Sequence, residues 1–583
     1  MKSVKKLFFL RLKPWTSAAV VVPLLVFLPF SKAFPYLLTE PDIWEASVEI
    51  PEAGRPNPFN FDPLKLSQAV EAGQHSSQVY PVYVSGLFLP KKVNETLLNP
   101  VQSRQGPFSY LVSLLSLLDV RDLDTLLAWI GLHPYPSKGD SGVYTFSVPD
   151  SVTQDLHFGS PNRVGYGYSE IDGVSVATLS CAACHSGNLF GQTVLGMSNR
   201  LTRANNFFVK AHQLLTLTPA SLIKEIANLS EAEMKFVRKA KLSMLNTNPK
   251  KPQALGLDNS LRVVALAMAR RSQDSYSSPS PYHRLFPRSD LLDNFVADSK
   301  PPVWWNTKFK NRWLSDGSVV SGNPVITALI WNELGRGSSL QDFESWLAQN
   351  REKVQELTAA VFQSEAPRVT DFFPAEMIPL ERAKNGEALF NRACAKCHGT
   401  YEKKWSLEGA NQLPLAEQLK TSQVKYFKQT QVKNVGTDPQ RFQGMKSLES
   451  MNHLHIMKTT QTKIVSQNGY VPPPLVGIWA RWPYLHNNSV PTLMDLLTES
   501  SQRPKVYYAI EANHQKSDFD FEKNGYPAPD KLSVHQRRRE NLFDTQLEGL
   551  SNRGHDVGIF IKNGREIFKQ SEKQDLIYFL QTL

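Results

Sequence analysis

The sequence predicts a mainly α-helical fold with long irregular loops. Three observations carry that reading. Apolar residues recur at helical spacing over 108–132, 204–245, 342–362 and 572–583. Stretches rich in proline and serine separate these segments. A Cys-x-x-Cys-His string occurs twice, as LSCAACHSG and as NRACAKCHGT.

In chain order, Lys2, Lys5, Lys6, Arg11 and Lys13 precede an apolar run from Ala18 to Phe30, and Ser31-Lys32-Ala33 offers a small-x-small cleavage site. The run holds two prolines and falls short of the roughly 20 apolar residues of a membrane span, so residues 1–33 read as a secretory signal peptide. Residues 34–75 are proline-rich and polar, as in an irregular arm wrapping a domain. The helical stretch at 108–132 is interrupted by Asp119, Arg121, Asp122 and Asp124, so no membrane span is expected after cleavage, and the protein is expected in the periplasm or secreted. The first cysteine pair follows, then the helical stretch 204–245 and a Ser/Pro-rich surface loop at 270–290. Beyond the helix at 342–362, the proline-bearing APRVTDFFPAEMIPL (366–380) marks a boundary between an N-terminal region, 34–365, and a C-terminal one, 375–583. In the latter, ERAKNGEALFNRACAKCH is a helix running into the second cysteine pair, and EKQDLIYFLQTL closes the chain with another.

The two strings use all four cysteines. Random placement of four cysteines and 13 histidines gives roughly 6 × 10⁻⁴ such strings, so chance is excluded. A zinc site would place a second ligand pair nearby, and none is near either string. A redox dithiol would not require the histidine, least of all twice. Covalent haem attachment requires every residue: on a helical turn both thiols share a face and reach the two vinyl groups of one porphyrin, while the next residue brings its imidazole under the iron. Cys181, Cys184 and His185 are therefore expected to bind one haem c, and Cys394, Cys397 and His398 a second. No cysteine is left for a disulfide.

A chain of 583 residues, 41% hydrophobic, can bury two sizeable cores, which suits two haem domains. Of the net charge of +11, five charges lie in the basic stretch ahead of the apolar run, leaving about +6. No dense basic run stands outside Arg537-Arg538-Arg539, which argues against a nucleic-acid partner. What each iron can do depends on its sixth position. A strong protein ligand there makes an electron-transfer centre, and an open one binds dioxygen or peroxide. Spacing alone does not choose among the remaining histidines and methionines.

The strings GEALFNRACAKCHGT, VGTDPQRF, GYVPPPLVGIWARWPYLHNNSVPTLMDLL, SNRGHDVG and SEKQDLIYFLQTL resemble the C-terminal half of dihaem c-type cytochromes of the rubber oxygenase kind, in a wider group with bacterial dihaem cytochrome c peroxidases. The resemblance covers 375–583 and extends thinly to the first haem motif and to PPVWWNTKFKN at 301–311. It implies two cytochrome c-like haem domains. It further implies that His555 is the distal ligand of the second haem, making that centre bis-histidine with His398, and that the first haem keeps His185 as proximal ligand with a free distal side. Tyr484 and His486 match an element near the second haem, with Asn488 where glycine is more usual. Trp305, or its neighbour Trp304, matches a tryptophan that bridges the haems electronically. The stretch NRWLSDGSVVSGN (311–323) departs from the aromatic distal segment associated with rubber cleavage.

Three functions follow. A dihaem oxygenase would use dioxygen on a hydrophobic substrate at the haem of His185, a peroxidase would use hydrogen peroxide there, and an electron carrier would have both irons six-coordinate. The first two make the protein a haem-dependent oxidoreductase, for which a redox partner protein is one candidate partner beside the small oxidant and the substrate. The carrier is disfavoured by size, since it needs little protein per haem.

Overall fold

Two glycine-mediated helix crossings frame the fold of the computed structural model, which describes residues 43–45, 47–84, 87–97, 123–136, 146–149 and 163–583. The first joins the helix Leu380–Ala393 to the C-terminal helix Gln570–Gln581. A Cβ on Gly386 would lie 2.0 Å from the carbonyl oxygen of Asp575, so only glycine lets the backbones approach this closely. Around that contact Phe390 meets Phe579 with ring centroids 5.2 Å apart, and Arg382 Nε pairs with Asp575 at 2.6 Å. The crossing fixes the axis of a helix that ends at Ala393, directly before the second Cys-x-x-Cys-His string.

The second crossing joins Pro63–Val79 to Arg351–Gln363, where a Cβ on Gly73 would lie 2.1 Å from the carbonyl oxygen of Glu356. The helix Pro63–Val79 corrects the reading of 34–75 as an irregular arm. Proline belongs at a helix's first position, and the Asp62 side chain caps it, accepting from the amides of Leu64 and Lys65 at 3.0 and 3.2 Å.

The other helical stretches are present but divided. Residues 204–245 form Ala204–Leu217, Ala220–Ala227 and Glu231–Met244, broken at Pro219 and at Asn228, whose φ of 47° is left-handed. Residues 342–362 fall within Leu340–Gln349 and Arg351–Gln363, which meet at Asn350. Of 108–132, the helix Leu123–Ile130 is seen, and 108–122 lie outside the described residues, as does the leader. The loop at 270–290 contains one short helix, Pro281–Leu285. Among the described residues helix outweighs strand, 42% to 12%, in keeping with the mainly α class.

The longest strands lie around the first Cys-x-x-Cys-His string. Tyr166–Ile171 pairs antiparallel with Val174–Leu179 through Asp172 and Gly173, both at positive φ (52° and 73°), as a two-residue hairpin loop requires. Ser186–Leu189 and Gln192–Leu195 form a second hairpin through Phe190 and Gly191. The first motif is thus a turn between two hairpins, whereas the second is the end of a helix.

Leu38–Leu583 form one compact unit. Within it, the core around Phe390, Trp479 and Phe579 also takes in Leu189, Met197 and Trp305, and the core around Leu261, Ile330 and Phe343 also takes in Met445–Ile464. The proline-bearing stretch 366–380 is anchored rather than free: Phe372 and Phe373 are buried among Phe190, Trp479 and Phe519.

Gly386→Ala is expected to destabilise the protein by about 1–3 kcal/mol by forcing the two helices apart. A lowered thermal unfolding midpoint checks this, and an unchanged midpoint would mean the crossing carries no such constraint.

Candidate functional site

Each Cys-x-x-Cys-His string closes a single helical turn. The amide of His185 donates to the carbonyl of Cys181 at 3.1 Å, and that of His398 to Cys394 at 3.1 Å. The turn brings the paired thiols to one side of the chain, as attachment to one planar group demands. No disulfide joins any of the four cysteines. Before a group is attached, burial pushes the Cys181 thiol up to about 11 and those of Cys184 and Cys394 up to about 12, so they are neutral.

The two histidines are oriented the same way. His185 Nδ1–H donates to the carbonyl of Pro302 at 2.9 Å, and His398 Nδ1–H donates to that of Pro473 at 2.8 Å. A carbonyl only accepts, so the proton sits on Nδ1 and Nε2 is left as the lone-pair donor. Burial pushes His185 down to about 4 and lowers His398 as well, so both rings are neutral, the form that ligates a metal.

Opposite His398 stands His555, with ring centroids 6.3 Å apart and planes at 55°. Metal–imidazole bonds of about 2 Å, with each nitrogen about 1.1 Å from its ring centre, predict a separation of about 6.3 Å for two rings on one metal. The pair therefore fits a single iron. His555 sits at φ 57°, and its amide donates to Val435 at 2.8 Å. Gly554 before it lies so close to Gly436 that a Cβ would be 2.3 Å from that residue's carbonyl carbon. Burial, then the neighbouring His398, pushes His555 down to about 3. Among the described residues no cluster of three or more His, Cys, Asp or Glu could hold a metal by itself. A metal here would draw its remaining ligands from a group such as a porphyrin.

One cavity of about 920 Å³ is lined by both motifs and by His555. Near the first motif its wall combines apolar side chains with two charged ones: Leu126, Leu127 and Phe207 belong to the cluster holding Ala183, Val264 and Leu329 to the one against which Cys181 packs, and Asp258 and Arg336 act on the motif residues.

The tryptophan pair divides its roles. Trp304 lines the cavity with its ring 5.7 Å from that of His185. Trp305 is 1% exposed in the core, and its Nε1 donates to the carbonyl of Val476 at 2.9 Å. With Asn306 Nδ2, which donates to Pro474 at 2.9 Å, it ties the loop that orients His185 to the loop that orients His398.

Tyr484 and His486 line the same cavity. Tyr484 is buried, and Asn524 Nδ2 donates to its hydroxyl at 2.6 Å. His486 stacks on Tyr470, centroids 3.9 Å apart, and burial pushes it down to about 3. Asn488 takes φ 61°, a left-handed position that asparagine tolerates in place of glycine.

The turn carrying these residues occurs twice. The amide of Tyr484 donates to Val490 at 2.7 Å across Leu485 (φ 64°) and Asn488, and that of Trp313 donates to Val319 at 2.8 Å across Leu314 (φ 67°) and Gly317 (φ 68°). The strings WLSDGSV and YLHNNSV are therefore one structural repeat, with Ser315 where the second copy has His486. NRWLSDGSVVSGN is this repeat. Sequence reasoning missed it and the two accepting prolines. The recurrence of Pro-Pro ahead of each string was the available signal.

Residues 469–508 match the family described as RoxA-like, cytochrome c-like. Two relatives come from Sinorhizobium fredii (strain NBRC 101917 / NGR234). The "uncharacterized protein y4iJ" is 36% identical over 125 residues, covering 21% of this chain and 19% of the relative, and the "uncharacterized protein y4iM" is 34% identical over 125 residues, covering 20% and 27%. The chain thus spans about a fifth of the length of one of these relatives and just over a quarter of the other. The match contains Pro473, Tyr484 and His486, and a cytochrome c-like domain implies covalently bound haem c.

His486 lies near 3 when folded against an ordinary value near 6.5, so the unfolded chain binds the extra proton between those values and stability falls as pH drops through that window. His486→Phe, which keeps a ring against Tyr470, is expected to flatten the slope by up to about 1.4 kcal/mol per pH unit. Denaturant unfolding at pH 4 to 7 measures it, and an unaltered slope would mean His486 is protonated alike in both states.

Proposed function

We propose that the chain is an exported dihaem c-type cytochrome acting as an oxidoreductase, with a reactive haem at Cys181, Cys184 and His185 and a six-coordinate electron-transfer haem at Cys394, Cys397, His398 and His555. The observation that carries the reading is the asymmetry of the two motif histidines: His398 faces His555 across a gap sized for one iron, while leucine, valine and phenylalanine side chains gather near the first motif. When bound, haem at the first site supplies an iron that takes dioxygen or peroxide, and haem at the second supplies a centre that stores or relays an electron.

The protein's own part is to orient and to shield. Pro302 and Pro473 hold each imidazole with Nε2 free. Leu126, Leu127, Phe207, Val264 and Leu329 keep the first site dry and suit a hydrophobic substrate. Trp304 against His185, with Trp305 bonded across to the second loop, offers the electronic path between sites. Tyr484 and His486 belong to the wall of the cavity and shape it. Export is supported by the leader, and no helix among the described residues is long and apolar enough to cross a membrane.

Rubber oxygenase-like use of dioxygen is the first reading of the reaction. A peroxidase is the second, favoured by Asp258, a carboxylate on the cavity wall that accepts from Asn205 Nδ2 at 2.9 Å.

Electron paramagnetic resonance of the oxidised protein is expected to show two ferric centres, one shifted by added imidazole and one unmoved. His555→Ala should convert the unmoved signal to one that imidazole shifts. Two signals that both ignore imidazole would instead make the protein an electron carrier.

A further inference from the structure

The two loops that orient the motif histidines also carry positive charge that the described chain leaves without a counter-ion. Lys300 and Lys310 flank Pro302 in the first loop, Arg481 follows Pro473 in the second, and all three line the cavity. Lys300 Nζ donates to the backbone carbonyls of Pro483 and Arg481 at 2.5 and 3.3 Å. Arg481 Nη1 donates to the carbonyl of Pro474 at 3.1 Å. Lys310 Nζ has no hydrogen-bond or ion-pair partner among the described residues, and no carboxylate there pairs with any of the three. Tyr401 and Tyr484 lie near Arg481, but burial raises both phenols, which stay protonated and neutral.

Cations partly withdrawn from water persist where a counter-charge meets them. These three are half-buried against the cavity, Arg481 repels both lysines, and dehydration lowers Lys310 to about 8. The arrangement asks for anions delivered at the seam between the two loops. The group the motifs are built to hold carries such anions as permanent substituents, since each haem c keeps two propionate carboxylates.

We infer that Lys300, Lys310 and Arg481 form a seat for haem propionates, joining the two sites electrostatically. The inference rests on the dihaem reading above. Arg481 is close enough to His398 to act on that ring's charge, so the seat bears first on the centre held by His398 and His555. A cation beside a carboxylate there favours the reduced state of that centre.

The test uses the full-length exported protein and begins with its mass and pyridine haemochrome. Fewer than two haems per wild-type chain would defeat the dihaem reading itself, before the seat is tried. Spectroelectrochemical titration then compares wild type with Lys310→Met, which removes the charge without breaking a hydrogen bond or ion pair among the described residues, and with Lys310→Arg, which keeps the charge. The midpoint potential of the six-coordinate centre should fall in Lys310→Met and hold in Lys310→Arg. Arg481→Gln, whose amide can still reach Pro474, repeats the test from the second loop if Lys310→Met does not assemble. Unchanged potentials in the charge-removing variant would overturn the seat, as would an equal fall in Lys310→Arg. A wild-type potential that moves with added chloride or acetate would place a free anion there and overturn the propionate assignment.

Discussion

The hydrogen bond from each motif histidine to a proline carbonyl is the constraint on which the site depends. A cysteine pair on a helical turn can carry a planar group, but the imidazole that follows is free to rotate until its second nitrogen is held. Proline suits the accepting role because it brings no N–H of its own, so the Pro-Pro segments stand outside the helix and sheet ladders and their carbonyls are available. Pro302 and Pro473 thereby fix tautomer and ring direction at once. Trp305 and Asn306 bond one proline-led loop to the other, so the two sites are held in register rather than built separately.

Upon that shared scaffold the two sites differ where chemistry differs. The repeated turn keeps its backbone, with the same amide-to-carbonyl closure and left-handed residues at matching positions, while Ser315 in one copy answers to His486 in the other. The second motif ends a helix pinned through Gly386 and meets His555 across a gap of metal-ligand size. The first lies between two hairpins and faces leucine, valine and phenylalanine side chains. Burial acts alike on the histidines of both sites, holding them neutral, so the contrast between the sites is one of what stands opposite each ring.

The packing around the two sites joins segments far apart in sequence. Residues between Met445 and Ile464 pack with Leu261 and Ile330, and Phe372 and Phe373 reach Phe190 beside the first motif. The helix crossing at Gly386 fixes the helix that leads into the second Cys-x-x-Cys-His string, so that contact serves both stability and site geometry.

The sequence by itself determined whatever depends on short spacing. The Cys-x-x-Cys-His turns, the helix ending at Ala393 and the helical stretches at 204–245 and 342–362 follow from which side chains share a face within a few residues. The helix Pro63–Val79 was equally local, in its Asp-Pro start, and was hidden by the prolines around it. The Asp172-Gly173 hairpin was likewise readable from its turn residues. Only the tertiary structure decided that His555 faces His398, that Trp304 rather than Trp305 meets the cavity, that Pro302 and Pro473 are the acceptors, and that three cations gather without a carboxylate. Those are distances between residues far apart in the chain, and they are set by how helices and loops pack rather than by the order in which their residues occur.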